Sequence, residues 1–207
     1  EVLHKHDNMY TISDEIYELI NFTPKHASLA AEPGMMERVI TVNGVSKGFA
    51  MTGWRLGYIG APKWIADACT KIQGQFTSAP CSIAQAAAAT AVEADPSISK
   101  SMVASFLARR NAMHASLSKV PGVNLNLPMG AFYLFPDVSE LFGKSFNGKS
   151  LNNSDDVAMF LIEEAHVATV SGAAFGTPEC IRISYAAADE VLEEAVRRID
   201  AAVRKLV

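Results

Sequence analysis

The stretch Gly44-Val-Ser46-Lys47-Gly-Phe-Ala-Met-Thr-Gly-Trp-Arg55-Leu-Gly57 lies between two segments of strand character. Before it, Arg38-Val-Ile-Thr-Val-Asn43 is dense in β-branched residues and reads as a buried strand. After it, Leu56-Gly-Tyr-Ile-Gly60 reads as another strand, and Pro62 then stands where the first turn of a helix begins. The connection is short and carries no clear helical pattern. That is marginal for a parallel crossover and easy for an antiparallel return. An antiparallel return brings Arg55, which opens the later strand, back to the sheet edge where Lys47 has just left the earlier one.

Upstream, Met9-Tyr-Thr-Ile-Ser13 is a first strand that ends at Asp14. Ligands of open α/β sheets sit at the carboxyl ends of strands, so Asp14, Lys47 and Arg55 are expected around one crevice. A lysine amine forms an imine with an aldehyde. Pyridoxal phosphate (PLP) needs that amine, an acid for its ring nitrogen and cations for its phosphate, and the planar fork of arginine matches phosphate oxygens. The same three residues also fit a strand-end cap, a solvated lysine and a surface ion-pair partner. Spacing alone does not choose between these readings.

Downstream, the helix after Pro62 carries Ile65, Ala68, Cys69 and Ile72 at helical spacing, and an alanine-rich helix follows over 82–94. A long amphipathic pattern with Ile98, Met102, Phe106, Met113 and Leu117 on its apolar stripe is stopped by Pro121-Gly122. Beyond lies a smaller unit with expected strands at 123–127, 131–135, 167–170 and 181–185. Its expected helices span 155–165 and 189–206, the latter turning Val191, Leu192, Ala195, Val196, Ile199 and Val203 inward. The expected fold class is α/β, with residues 1–95 in one part, a long connecting helix over 96–120, and a small α/β domain over 121–207.

The 207 residues carry a net charge of -4 and are 49% hydrophobic. That balance leaves no basic footprint for nucleic acid or an anionic membrane. No apolar run reaches the ~18 residues of a membrane span. Cys69, Cys81 and Cys180 are odd in number and widely spaced, which argues against a disulfide framework or a zinc site and for a reducing compartment. The five histidines include no His-x-x-x-His pair with a supporting carboxylate, and His4 and His6 read as exposed near the start, so no metal is expected. Glu1-Val-Leu-His-Lys-His-Asp7 reads as the end of a helix entering a strand, an opening that suggests a longer parent chain.

The stretch from Gly44 to Gly57 resembles the lysine signature of class I/II aminotransferases, fold type I of the PLP-dependent enzymes, in Gly44, Lys47, Arg55 and Gly57. Ser13-Asp14-Glu-Ile-Tyr17 resembles the family's Asp-x-x-Tyr element, and Glu179-Cys-Ile-Arg182-Ile-Ser-Tyr-Ala186 its C-terminal strand. Gly130-Ala-Phe-Tyr-Leu-Phe135 and Ser171-Gly-Ala-Ala-Phe-Gly176 also resemble family segments. The glycine-bearing latter one, which on its own suggests a phosphate cradle, then becomes a small-domain loop near the substrate entrance. The likeness runs in order along almost the whole chain and is to the aspartate aminotransferase type.

The resemblance implies a C-terminal half: part of a large PLP-binding domain with a mostly parallel sheet and one antiparallel strand, plus the small domain. It implies that Lys47 is the Schiff-base lysine and proton shuttle, that Asp14 pairs with the ring nitrogen, and that Tyr17 bonds the ring hydroxyl oxygen. Arg55 would hold the phosphate and Arg182 the substrate α-carboxylate. The family's phosphate-contacting hydroxyl often stands where this chain has Gly44, which leaves Ser46 as the neighbouring hydroxyl. The implied reaction is ping-pong transamination of aspartate with 2-oxoglutarate in a homodimer, and the cysteine pattern with no targeting signal suggests a cytoplasmic setting. An aromatic or alanine aminotransferase, a carbon–sulfur β-lyase, and a fragment without activity of its own are the alternatives. Gln73 stands near where one aspartate aminotransferase subgroup places an arginine for the distal carboxylate.

Overall fold

The computed structural model describes residues 1–207. The chain divides into two units, Glu1–Val103 and Ala104–Val207, and the division falls inside a long helix. No helix is long and apolar enough to cross a membrane.

The first unit is built on a three-stranded mixed sheet in the order β1 (Thr11–Asp14), β2 (Val39–Gly44), β3 (Gly57–Gly60). β1 and β2 run parallel, with Asp14 opposite Val42, and β3 returns antiparallel, with Gly57 opposite Gly44. The antiparallel return expected from the short connection is therefore present. Its one helical feature is a 3-10 turn over Thr52–Trp54. The parallel β1–β2 pair needs a long crossover, which residues 15–38 supply with turns and one 3-10 segment, Leu29–Ala31. Ile20, Met35, Val39 and Val45 are the buried apolar residues of this part.

Two helices follow, α1 (Lys63–Phe76) and α2 (Ser82–Glu93). Pro62 is the N-cap of α1 rather than its first helical residue, which suits a ring that fixes φ and donates no hydrogen bond. The inward stripe expected for α1 is not buried. Ile65 is half-buried, Ala68 and Cys69 are exposed, and Ile72 and Phe76 are 60% and 82% exposed. Beyond Ile65, that side of the helix is open. Ala84 and Ala88, one turn apart, are the buried side of α2.

A capped 3-10 turn over Pro96–Ser99 leads into α3 (Lys100–Leu117). Met113 and Leu117 are buried and Phe106 half-buried as the stripe requires, whereas Ile98 is exposed.

In the second unit an antiparallel sheet runs in the order β4 (Tyr133–Leu134), β8 (Ile181–Ser184), β7 (Val170–Ser171). A hairpin of β5 (Ser145–Phe146) and β6 (Lys149–Ser150) stands beside it, and no sequence pattern announced it. α4 (Ser154–Phe160) is capped by Asn153, whose Oδ1 accepts the Asp156 amide at 2.9 Å. It continues as a π-turn, Leu161–Ala165, and α5 (Asp189–Val203) closes the unit. Leu134, Val157, Leu161, Ile183 and Tyr185 pack in one core with the inner faces of α3 and α5. Burial pushes the Tyr185 phenol up to about 12, so it stays protonated and donates to the Ala131 carbonyl at 3.1 Å.

Several expected strands are shorter, each for a local reason. Residues 123–127 form no strand, only one bridge in which Asn124 and Asp137 exchange both amide bonds at 2.9 Å. β4 is confined between Ala131, whose φ of 59° is left-handed, and Pro136, which has no amide donor. β7 starts only at Val170 because the π-turn ends in a left-handed His166 and the Val167 amide bonds back to Leu161. On α5 the buried row is Leu192, Val196, Ile199 and Val203. Val191, expected inward, is 59% exposed because it sits about 100° from Leu192 around the helix.

Candidate active site

Asp14, Ser46, Lys47 and Arg55 gather at one end of the first unit's sheet, where β1 and β2 finish and β3 begins. Asp14 is exposed, its Oδ1 accepts the Ile16 amide at 3.1 Å, and no cation pairs with it. Tyr17 is half-buried in the turn that follows, with its carbonyl accepting the Ile20 amide at 2.9 Å. Ser46 and Lys47, both half-buried, lie in the turn leaving β2. The Lys47 carbonyl takes the Ala50 amide at 3.2 Å, and the Met51 amide returns to the Val45 carbonyl at 3.3 Å.

Two glycines make that turn possible. A Cβ on Gly44 would meet the Leu56 carbonyl oxygen at 2.9 Å, and one on Gly48 would meet Leu19 Cδ1 at 2.8 Å. A serine at position 44 would therefore need β2 and β3 to move slightly apart. Arg55 has a left-handed backbone, φ 54°, which is uncommon outside glycine and worth a functional reason. Its Nη1 donates to the Thr52 carbonyl at 2.9 Å, its side chain is exposed, and no carboxylate neutralises it.

The residue after Asp14 was not singled out by its sequence, yet it is the best-tethered acid in the unit. Glu15 is 7% exposed. Its Oε1 accepts the hydroxyls of Ser13 and Ser28, each at 3.0 Å, and its Oε2 lies 2.9 Å from His26 Nε2. Glu18 and His26 bring their ligating atoms within 4.8 Å of it, but these bonds occupy both Glu15 oxygens, so the cluster ties the loop around residue 26 to β1. Burial opposes ionisation of Glu15, and the bonds from His26, Ser28 and Ser13 outweigh it, holding the carboxyl below its ordinary 4.5. A depressed carboxyl stabilises the fold fully above the unfolded value and loses that contribution as pH falls through the folded one. Glu15→Gln is thus expected to be less stable than the parent near neutrality, with the gap closing as pH drops below 4.5. Urea unfolding across a pH series measures this.

Arg182 belongs to the second unit, at the middle of β8 opposite Val170. It is half-buried, and its guanidinium carbon lies 4.6 Å from the Tyr133 ring centroid and 4.5 Å from that of Phe175. No carboxylate pairs with it. Tyr133 and Phe175 are neighbours that sequence reasoning missed, because strand register and turn geometry decide which rings reach the arginine. The glycine-bearing segment expected near the substrate entrance holds a 3-10 turn, Gly172–Phe175, capped by Ser171. Gln73 is exposed on α1, with its amide bonded to the Thr77 hydroxyl.

The profile of the family described as aminotransferase class I and II matches residues 1–199. A bifunctional aspartate aminotransferase and glutamate/aspartate-prephenate aminotransferase of Petunia hybrida is 48% identical over 204 residues, covering 96% of this chain and 43% of that protein. The crystal structure of the aspartate aminotransferase from Rhizobium meliloti superposes with a TM-score of 0.94 at 40% identity, covering all of this chain and 52% of that one. The aromatic aminotransferase from Pyrococcus horikoshii OT3 gives 0.88 at 38% identity, with 98% and 51% covered. The chain thus spans about half the length of the relatives it matches. With the lysine-bearing turn, the mixed sheet and this coverage in agreement, the chain belongs to the class I and II aminotransferase family.

Proposed function

We propose that this chain is the C-terminal half of a PLP-dependent aminotransferase that passes an amino group from aspartate to 2-oxoglutarate. Residues 1–95 would belong to the cofactor-binding domain, 96–120 to the connecting helix and 121–207 to the small domain. The observation that carries the reading is the convergence of Asp14, Lys47 and Arg55 on one sheet edge. Within this chain neither the carboxylate nor the guanidinium has an ionic partner.

That donor set fits the cofactor. Arg55, with Ser46 beside it, suits the phosphate, Asp14 the ring nitrogen, Tyr17 the ring hydroxyl oxygen, and Lys47 the aldehyde carbon. When bound, PLP supplies an electron sink for the charge left on the substrate α-carbon. Asp14 would pair with the ring nitrogen and favour its protonated form. Lys47 Nζ would take the proton from the substrate α-carbon and deliver it to the carbon that was the cofactor's aldehyde. Arg182 fixes the substrate α-carboxylate and so orients the bond that breaks.

Aspartate as donor is supported by the names of the relatives from Petunia and Rhizobium. The exposed Gln73 offers no cation for a distal carboxylate, so a group outside this chain would read it. The Petunia relative's name adds prephenate as a second acceptor to test. A homodimer is supported by the apolar surface of α1, where Trp64, Ile72 and Phe76 are exposed. Three free cysteines suit a reducing, cytoplasmic setting. An amino-donor panel on the full-length protein with 2-oxoglutarate, and separately with prephenate, tests the reading. Aspartate is expected to turn over fastest, and a clear preference for tyrosine or alanine would reject it.

A further inference from the structure

Arg182 is held in an unusual way for a half-buried cation. None of its guanidinium donors is bonded to a group of this chain, and its contacts are the two aromatic rings. Tyr133 reaches it because β4 pairs with β8 at Tyr133 and Ser184. Ser184 and Arg182, two residues apart on one strand, share a face, so Tyr133 lies diagonal to Arg182 within reach of its long side chain.

Phe175 comes from a separate element, and that element is braced. The Gly172 amide donates to the Cys180 carbonyl at 2.7 Å, and the Thr177 amide donates to Gly172 at 3.0 Å. A Cβ on Gly172 would sit 2.2 Å from the Thr177 oxygen and 2.4 Å from the Cys180 oxygen, so no other residue fits there. Ser171 Oγ accepts the Ala173 amide at 3.2 Å and shares a 2.9 Å hydrogen bond with the hydroxyl of Ser154, a residue buried on α4. Phe175 itself stands edge-on to Phe135, with centroids 6.1 Å apart. The turn that looked like a phosphate cradle has the construction of a bracket for one ring.

We infer that Tyr133 and Phe175 are positioning residues for carboxylate recognition: they clamp the Arg182 guanidinium so that its N–H edge is presented to the substrate before binding. The inference rests on the proposed role of Arg182. A free arginine loses rotamer freedom when it grips a carboxylate, and one already held between aromatic faces does not. The ring faces also attract the cation without consuming any of its donors.

The test uses the full-length protein with PLP bound, comparing Phe175→Leu, Phe175→Trp and Arg182→Lys. It measures steady-state kinetics, the calorimetric Kd of a non-reacting dicarboxylate such as succinate, and thermal stability. Because the Phe175 ring is 47% exposed, leucine leaves no buried cavity. Phe175→Leu is expected to raise both the amino-acid KM and the succinate Kd by about tenfold, with kcat within about threefold and an unchanged melting temperature. Phe175→Trp is expected to restore both, since the aromatic face is what matters. Unchanged KM and Kd in Phe175→Leu, or no recovery with tryptophan, overturns the clamp while Arg182→Lys still weakens binding. If Arg182→Lys leaves KM and Kd unchanged, the carboxylate role of Arg182 falls, and the clamp falls with it.

Discussion

In the full-length protein, Lys47→Ala is expected to lower kcat by at least about a thousandfold, the scale of losing a group that the proposed function makes both acid–base group and covalent anchor. The expected loss is of chemistry rather than of the turn. The turn around position 47 is fixed by its backbone, through Ala50 to the Lys47 carbonyl and Met51 to the Val45 carbonyl, and by Gly48 against Leu19. Alanine keeps all of these backbone bonds, so the variant should still fold, as its circular dichroism spectrum checks. Lys47→Arg is expected to be as inactive as the alanine variant. It retains the positive charge, but a guanidinium neither forms the imine nor gives up its proton in the working pH range. A charge-only role for Lys47 predicts the opposite, substantial activity in the arginine variant, and steady-state assays of both variants separate the two.

Arg182→Ala is expected to lower kcat/KM for amino acids by about a hundredfold or more, since truncating one partner of a hydrogen-bonded charge pair costs ~2–5 kcal/mol. Arg182→Lys should recover only part of the loss, because an ammonium offers a point charge where the guanidinium offers a fork. The selectivity of the effect identifies its cause. A primary amine without a carboxylate should be processed equally poorly by parent and variant. A uniform loss on both substrate types would assign Arg182 to the scaffold instead. The unpaired guanidinium makes the scaffold reading costly in advance. A structural arginine at mid-strand ordinarily has an acidic or carbonyl partner, whereas the guanidinium here lies against the Tyr133 and Phe175 rings with no carboxylate beside it.

Much of this arrangement was legible in the sequence, for reasons of chain length and pattern. Val39 to Val42 are β-branched without interruption, and the connection to Leu56 is too short for anything but a return, so the sheet edge that gathers Asp14, Lys47 and Arg55 could be drawn before any coordinates. The α5 core row at Leu192, Val196, Ile199 and Val203 is equally local, set by helical period alone.

What escaped depends on partners far along the chain. Periodicity gave α1 an inward face, but its covering layer is not in these residues, and Ile72 and Phe76 remain exposed. Glu15 looked like any acid beside a conspicuous aspartate, until the loop bearing His26 and Ser28 folded onto it. Phe175 reaches Arg182 only because Gly172 packs against backbone oxygens with no room for a side chain. Strand ends moved with single left-handed residues, Ala131 and His166, that no hydrophobic pattern encodes.

The central claim is that Lys47 is the lysine that carries the cofactor, and reductive trapping tests it most directly. The full-length protein is loaded with PLP, reduced with borohydride, digested and sequenced by mass spectrometry. The account predicts a stable pyridoxyl adduct on the peptide containing Ser46-Lys47-Gly48, absent from Lys47→Ala. An adduct confined to another lysine, such as Lys25, Lys63 or Lys71, or no adduct at all in the parent protein, would contradict it.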